Sequence, residues 1–211
     1  GTGLNFRGEF FKLTLMTPFF SPAPHDYHRI PIYLAGVNRR ICQLAGELCD
    51  GFHAHPLPTA RYLREVVLPN VQTGLNKVGR SRRAIELSSS LFVIPTDDPE
   101  QAAVFETEIR QQIAFYASTP PYRPVFELEG WGAVADELKA KAARGQWTDM
   151  PSLISDEMLD KFALRGTWAE LPKMVLKKYD GLLDRVSYYF PVVPDRDEAG
   201  WRATVAGFKH V

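Results

Sequence analysis

The amino-acid sequence predicts an α/β fold of the (β/α)8 TIM-barrel type, of which this chain supplies four strands. After residue 31, runs of apolar, β-branched and aromatic residues alternate with segments whose apolar residues recur at helical spacing. Each strand-like run leads into a helix, which indicates parallel strands joined by helical crossovers. Four such units make half of an eight-stranded barrel. A small open doubly wound sheet is the competing geometry, and periodicity alone does not separate the two.

The bulk composition is that of a globular protein, with 211 residues, 45% hydrophobic and 24% charged. Lys+Arg and Asp+Glu both number 25, so the formal net charge is zero and the basic excess of a nucleic-acid binder is absent. The sequence contains neither a signal peptide at its start nor an apolar run approaching the length of about 20 residues that a membrane span needs. We therefore expect a cytoplasmic protein that binds neither nucleic acid nor membrane.

The first 30 residues predict a hairpin that turns at Gly8, followed by a proline-rich loop. The chain does not begin with methionine, and its first residues already have the pattern of an extended hairpin. From this we expect a processed or truncated start, or a piece of something longer. The whole chain, residues 1–211, is interpreted as a single partial (β/α) barrel domain, with a helical insertion over residues 120–166.

The first β/α unit is predicted in the stretch PIYLAGVNRRICQLAGELC, residues 31–49. Its continuous apolar run predicts a strand buried on both faces. The helix that follows is expected to turn Ile41, Leu44, Ala45 and Leu48 inward, with Gly46 allowing close approach to a strand. Cys42 and Cys49 lie about 10 Å apart along this helix, too far for a disulfide, so free buried thiols are predicted.

The next two units carry clear boundary signals. A strand over DGFHAH precedes a helix that begins at Thr59, is interrupted at Pro69 and ends at Gly79. A strand over residues 84–95 then leads into a helix capped by Asp97 or Asp98.

A helical insertion without a strand is predicted over residues 120–166. The pattern then resumes with a helix from about Thr167 to Tyr179, the strand DRVSYYFP and a final helix.

Ligands of such folds bind at the carboxyl ends of the strands. This rule selects residues 35–38, residues 53–55, the end of SSSLFVI and residues 190–193. At Ala35, Gly36, Val37 and Asn38 a strand gives way to a helix, whose first N–H groups lack partners and carry the positive end of the helix dipole. Gly36 would let an anion approach the backbone, with Arg39 or Arg40 adding charge; alternatively, Gly36 only serves the tight turn. The GxGxxG and Walker patterns are absent from the sequence.

His53 and His55 alternate along a strand, so both side chains point to one face. On the cleft side they could donate hydrogen bonds to a cofactor or shuttle a proton near neutral pH. The alternative is a pair of half-buried histidines satisfied by backbone carbonyls. No metal site is predicted, because no third ligand stands near and His25 and His28 lie in an upstream loop. Ser88–Ser90 lack the GxSxG elbow and no carboxylate pair stands out, so no catalytic residue is assigned.

Three stretches resemble the luciferase-like monooxygenase superfamily, in its F420-dependent oxidoreductase branch. They are FRGEFFKLT, PIYLAGVNRRICQLAGELCDGFHAHP and YLREVVLPNVQTGLNKVGRSR, all within the first 95 residues. The resemblance implies a barrel that binds F420, or alternatively FMN, with the turn Ala35–Asn38 giving backbone amides to the cofactor phosphate. It also implies hydride transfer between the deazaflavin and a small organic substrate.

Members of that family are longer, which implies that this chain holds strands 5–8, the carboxyl-terminal half of the barrel. We therefore expect a homo-oligomer or association with a missing amino-terminal half. The alternatives are an FMN-dependent monooxygenase of the same superfamily and a non-catalytic barrel remnant that acts as an assembly or binding module. A third is a phosphate-ester enzyme on an unrelated open α/β sheet.

Overall fold

The computed structural model describes residues 3–21, 23, 26–27, 29–191 and 193–209. The chain divides into two compact units, Gly1–Ile30 and Pro31–Val211. A single partial barrel domain over residues 1–211 remains a prediction. His25 and His28 lie outside the described residues.

The first unit contains the predicted hairpin. Strand β1 (Phe6–Arg7) pairs antiparallel with β2 (Lys12–Leu13). The N–H of Gly8 donates to the carbonyl oxygen of Phe11 at 2.8 Å, which closes the turn and confirms the predicted role of Gly8. A 3₁₀ turn follows at Pro18–Phe20.

The second unit is built on a parallel sheet, as the alternation of elements predicts. Its strands are β3 (Tyr33–Gly36), β4 (Gly51–Ala54), β5 (Glu86–Pro95), β6 (Ala163–Gly166) and β7 (Arg185–Tyr188). Strand β4 lies between β3 and β5. The long strand β5 pairs with β7 along Ser88–Leu91 and with β6 along Phe92–Pro95.

Strand β6 corrects the prediction that residues 120–166 contain no strand. Its four residues are too few to show a period, and they pair with β5 about 70 residues earlier in the chain. The rest of the segment is helical, as expected.

The helices join and follow the strands in chain order. They are α1 (Arg39–Leu48), α2 (Ala60–Tyr62), α3 (Leu68–Lys77), α4 (Pro99–Ala117), α5 (Arg123–Leu128), α6 (Gly132–Ala143), α7 (Asp156–Phe162), α8 (Leu171–Tyr179) and α9 (Glu198–Lys209). A π-helical turn, Leu63–Val67, connects α2 to α3, and 3₁₀ turns lie at Arg82–Ala84, Pro120–Tyr122 and Trp147–Leu153.

The predicted helix boundaries are confirmed by hydrogen bonds. The hydroxyl of Thr59 accepts from the N–H of Tyr62, and Asp98 accepts from the N–H groups of Glu100 and Gln101. Gly79 ends α3 with a φ of 68°, a conformation that favours glycine. Because Pro69 has no N–H to donate, an interruption of the helix is predicted near it, and the structure shows this as the π-helical turn that precedes Pro69.

The two faces of the sheet differ sharply. On one face Phe52, Ala54 and Leu87 are buried. On the other, Ala35, His53, Ser88 and Arg185 form one row in register across β3, β4, β5 and β7. We call this second surface the polar face; Ala35 and Arg185 on it are exposed and Ser88 is buried.

Two burial predictions for the first β/α unit are wrong. Tyr33 is 43% exposed; it lies on the polar face with Ala35, at the end of the sheet where β3 pairs only with β4 among the described residues. On α1, Leu44 and Leu48 are 41% and 71% exposed, whereas Cys42, Ala45 and Gly46 are buried.

Gly46 approaches a helix and not a strand, because a Cβ there would overlap the carbonyl oxygen of Val71 in α3. The prediction of free buried thiols is confirmed for Cys42 and Cys49. Burial raises the pKa of the Cys42 thiol to about 12, so this thiol stays protonated at neutral pH.

Candidate functional site

The turn between β3 and α1 leaves the start of α1 without a side-chain cap. Asn38 occupies the N-cap position, but no hydrogen bond from a side-chain acceptor caps the helix. Its amide nitrogen donates instead to the carbonyl oxygen of Pro121 at 3.0 Å. The first intrahelical bond runs from the N–H of Cys42 to the carbonyl oxygen of Asn38. The N–H groups that precede Cys42 therefore point toward the helix N-terminus with the positive end of the helix dipole, as predicted.

An open groove of about 470 Å³ lies beside this turn. It is lined by Gly36, Val37, Asn38, Arg40, Ile41, Leu44, Pro121 and Tyr122. No carboxylate pairs with Arg40 among the described residues, so its charge is available to the groove. A bare helix N-terminus next to an unpaired guanidinium suits a negatively charged ligand group.

The packing around Gly36 explains why this position requires a glycine. A Cβ at this position would overlap the side chain of Ile41. Glycine is therefore required here to bring α1 close to the strand end, as the tight-turn alternative states. Contact between Gly36 and an anion stays a prediction, and the N–H groups that lack a partner within the helix are those at the start of α1.

The structure brings the two predicted groups of site residues together. Ala35 lies directly beside His53 in the β3–β4 register. The N–H of His55 donates to the carbonyl oxygen of Gly36 at 3.2 Å. His53 and Ser88 meet across β4 and β5, with 3.0 Å between Nδ1 and Oγ.

The imidazole of His55 is fixed in position and in tautomer. Its Nδ1 accepts a hydrogen bond from the N–H of Leu57 at 3.2 Å, so the neutral ring carries its proton on Nε2. The ring packs edge-on against Tyr116, with 4.4 Å between ring centres, and against Tyr122 at 4.5 Å. Burial, aided by the charge of His53, lowers the pKa of His55 to about 4. His55 is thus a neutral donor at pH 7, which does not suit the expected proton shuttle near neutral pH.

Three tyrosines near the candidate site were not identified from the sequence: Tyr116 and Tyr122 pack against His55, and Tyr189 is hydrogen-bonded to Tyr116. We call Tyr116, Tyr122 and Tyr189 the tyrosine cluster. The hydroxyls of Tyr116 and Tyr189 lie 2.8 Å apart, and that of Tyr189 donates to the side-chain oxygen of Gln112 at 3.3 Å. Tyr116 ends a helix and Tyr122 lies in a proline turn, so strand-end reasoning could not find them. The only signal was the position of Tyr189 one residue before the selected stretch 190–193.

At the other two selected strand ends the structure shows contacts within the protein. Beyond β5, Asp98 caps α4 and Asp97 accepts a hydrogen bond from the N–H of Trp168 at 2.8 Å. Phe190 packs against Phe105, with ring centres 5.5 Å apart, and Val192 is outside the described residues.

Within the described ranges, no cluster of three His, Cys, Asp or Glu side chains is arranged to hold a metal ion. The helices in those ranges are all too short or too polar to cross a bilayer.

Comparison with known sequences gives a family match over most of the chain. Residues 1–185 match the family described as luciferase-like monooxygenase. An uncharacterised protein of Mycobacterium tuberculosis H37Rv is 40% identical over 186 residues, which are 88% of this chain and 55% of that protein. The 5,10-methylenetetrahydromethanopterin reductase of Archaeoglobus fulgidus is 27% identical over 94% of this chain and 58% of its own length. The chain thus spans little more than half the length of these relatives.

Solved structures support the barrel-type fold. The coenzyme F420 dependent tetrahydromethanopterin reductase of Methanopyrus kandleri superposes with a TM-score of 0.62 at 19% identity, covering 84% of this chain and 49% of that enzyme. The EDTA monooxygenase of Chelativorans sp. BNC1 superposes with a TM-score of 0.64 at 17% identity, covering 99% and 50%. Both are TIM-barrel enzymes, so the predicted fold class is confirmed. The assignment to strands 5–8 stays a prediction.

Proposed function

The chain belongs to the luciferase-like monooxygenase family. We propose that it is part of an F420-dependent oxidoreductase, which transfers a hydride between the deazaflavin and a small organic substrate. The relatives that support this are the methylenetetrahydromethanopterin reductase and the F420-dependent reductase named above. Because the chain spans about half of their lengths, the activity is proposed for the protein in which these residues act together with a complementary half.

One observation carries the proposal: the uncapped start of α1 opens onto a groove that also contains Arg40. The phosphate of F420 or FMN needs amide donors and a compensating charge. The open N–H groups at the start of α1, directly after the turn Ala35–Asn38, offer the donors, and Arg40 offers the charge. His53 and His55 on the polar face would then contact the part of the cofactor beyond the phosphate. The bound cofactor supplies the hydride chemistry, while the protein binds and orients it.

Binding of F420 to the purified chain, followed by the change in F420 fluorescence, tests this proposal. Two arginines of α1 offer a matched pair, since both lie in its first turn and only Arg40 lines the groove. We expect Arg40→Gln to weaken binding about tenfold, the effect of losing one charge-assisted contact, and Arg39→Gln to change it little. Equal losses in the two variants would show that only the general charge of the helix matters.

An FMN-dependent monooxygenase is the alternative within the same family, and it is favoured by the similarity to EDTA monooxygenase over nearly the whole chain. The same titration with FMN separates the two. If the chain binds FMN more tightly than F420, then FMN and not the deazaflavin is the cofactor. If the correctly folded chain bound neither F420 nor FMN, the F420-dependent and the FMN-dependent proposals would both be overturned.

The second candidate is a barrel remnant that acts as an assembly module. Two observations favour it. Among the described residues β3 pairs with β4 alone, which leaves its outer edge without a strand, and the side chains of Leu44 and Leu48 on the adjacent helix are exposed. We propose that this flank mediates association, either between copies of the chain or with a complementary half. Sedimentation should give a mass above the 23.8 kDa of one chain, and Leu48→Asp should lower it. A stable monomer that still binds a flavin contradicts this candidate.

A further inference from the structure

One nitrogen of His55 is left unused by the protein. Nδ1 is engaged by the N–H of Leu57, whereas Nε2 has no hydrogen-bond partner among the described residues. His55 is partly exposed, and Nε2 does not belong to the fully buried polar atoms that lack a partner within the described residues. Nε2 therefore keeps some exposure at the carboxyl end of β4, as a donor without an acceptor.

The ring that carries this donor is held from several directions. Tyr116 and Tyr122 contact it, and the N–H of His55 itself is bonded to Gly36. Tyr116 is anchored in turn through Tyr189. The turn that carries Tyr122 is tied to α1 by the bond from Asn38 to Pro121. A donor on a fixed ring binds an acceptor with little loss of conformational entropy, which is how binding sites are preorganised.

The surroundings of His55 determine what kind of group it would bind. The titratable side chains that face it are His53, Tyr116 and Tyr122, and none of them is an acid that would favour a cationic ligand. A metal ion would need an unprotonated nitrogen and further ligands, which this arrangement does not supply. The ligand group that fits this donor is therefore an oxygen acceptor. The flanking tyrosine rings suit a flat conjugated molecule.

We propose that the Nε2–H of His55 donates a hydrogen bond to a carbonyl oxygen of a planar conjugated ring bound at the carboxyl ends of the strands. This inference rests on the proposed function, because the isoalloxazine-type ring of a flavin or deazaflavin carries such carbonyl groups. His55 is then a ligand-contacting residue, and Tyr116 and Tyr122 are positioning residues that act through it.

Two substitutions distinguish loss of the proposed hydrogen bond from loss of the imidazole ring, because both remove the ring and only one keeps a donor at the position of Nε2. His55→Asn keeps an acceptor near the position of Nδ1 for the N–H of Leu57, but it places nothing at Nε2. His55→Gln reaches the position of Nε2 with an amide donor. We expect His55→Asn to weaken binding of F420 or FMN about tenfold and His55→Gln to stay within about threefold of the unchanged chain. Thermal unfolding of both variants establishes that they are folded.

The ¹⁵N shifts of the imidazole give a readout that does not depend on activity. In the unchanged chain they should show the Nε2–H tautomer at pH 7, with a change at Nε2 when F420 or FMN is added. An Nδ1–H tautomer, or equal affinities in the two variants, would overturn this inference and leave the proposed function standing. Failure of the unchanged chain to bind either flavin would overturn both.

Discussion

The side-chain amide of Asn38 lies 3.0 Å from the carbonyl oxygen of Pro121, a residue 83 positions later in the chain. This bond diverts the N-cap residue of α1 away from its own helix, so the first N–H groups stay open toward the groove. It also fixes the turn that places Tyr122 against His55. One hydrogen bond thus connects the candidate anion site to the tyrosine cluster.

Asn38→Asp should weaken F420 binding by tenfold or more while leaving stability nearly unchanged. A carboxylate cannot donate to Pro121, and it would instead accept from the open N–H groups and place a negative charge at the anion site. The cap gained offsets the hydrogen bond lost, each being about 1 kcal/mol. Fluorescence titration and urea unfolding measure the two effects. Asn38→Ala is the control, expected to lose about 1 kcal/mol of unfolding free energy; undiminished binding by Asn38→Asp would contradict the site.

Gly74→Ala should destabilise the chain by about 1–3 kcal/mol, because overpacking a close helix contact forces the backbones apart. A Cβ at Gly74 in α3 would overlap the carbonyl oxygen of Gln43 in α1. Gly132→Ala is the matched control, since its Cβ would meet nothing closer than 3.5 Å and helical alanine is favoured over glycine. Urea unfolding of both variants checks this. A Gly74→Ala protein as stable as Gly132→Ala would show that α1 and α3 do not pack so closely.

Lys178→Met should cost about 1–3 kcal/mol of unfolding free energy, whereas Lys177→Met should cost little. The ammonium of Lys178 donates to the carbonyl oxygens of Asp160, Lys161 and Ala163, at 3.0–3.3 Å, where α7 ends and β6 begins. Lys177, its neighbour, is exposed. Because both substitutions remove one positive charge, the difference in their urea midpoints reports the three hydrogen bonds. Equal midpoints would refute this role.

The stability of the chain should fall between pH 6.5 and pH 4, in part through His55. Burial lowers the pKa of His55 to about 4 in the folded chain, against 6.5 for an ordinary histidine. In this window the unfolded chain takes up a proton that the folded ring resists, so acid favours unfolding; above pH 6.5 the contribution of His55 is fully present.

His55→Phe removes that proton site and keeps a planar ring beside Tyr116 and Tyr122. The drop in urea midpoint from pH 7.5 to pH 5 should therefore be smaller in His55→Phe than in the unchanged chain. Carboxylates with lowered pKa, such as Asp197, contribute equally to both proteins and cancel in the comparison. If the urea midpoint fell by the same amount in His55→Phe and in the unchanged chain, the pKa of His55 would not be lowered by folding.

The sequence by itself determined the order of elements apart from β6, their parallel pairing, and the helix ends that carry a cap or a proline. Thr59, Asp98, Gly79 and Pro69 each act on backbone groups within a few residues, so their effects can be read locally. The alternation of His53 and His55 likewise predicted two side chains on one face, because strand geometry has a period of two.

Only the tertiary structure decided which surfaces are covered and which side chains complete the site. Strand β6 exists through its pairing with distant β5. Tyr116 and Tyr122 pack against His55 from two separate elements, and Tyr189 joins them through its hydrogen bond with Tyr116. Tyr33 of β3 and Leu44 and Leu48 of α1 are expected to be buried from their pattern, yet their side chains are exposed. A local pattern records that a residue is apolar; its burial depends on neighbours that arrive from elsewhere in the chain or from another chain.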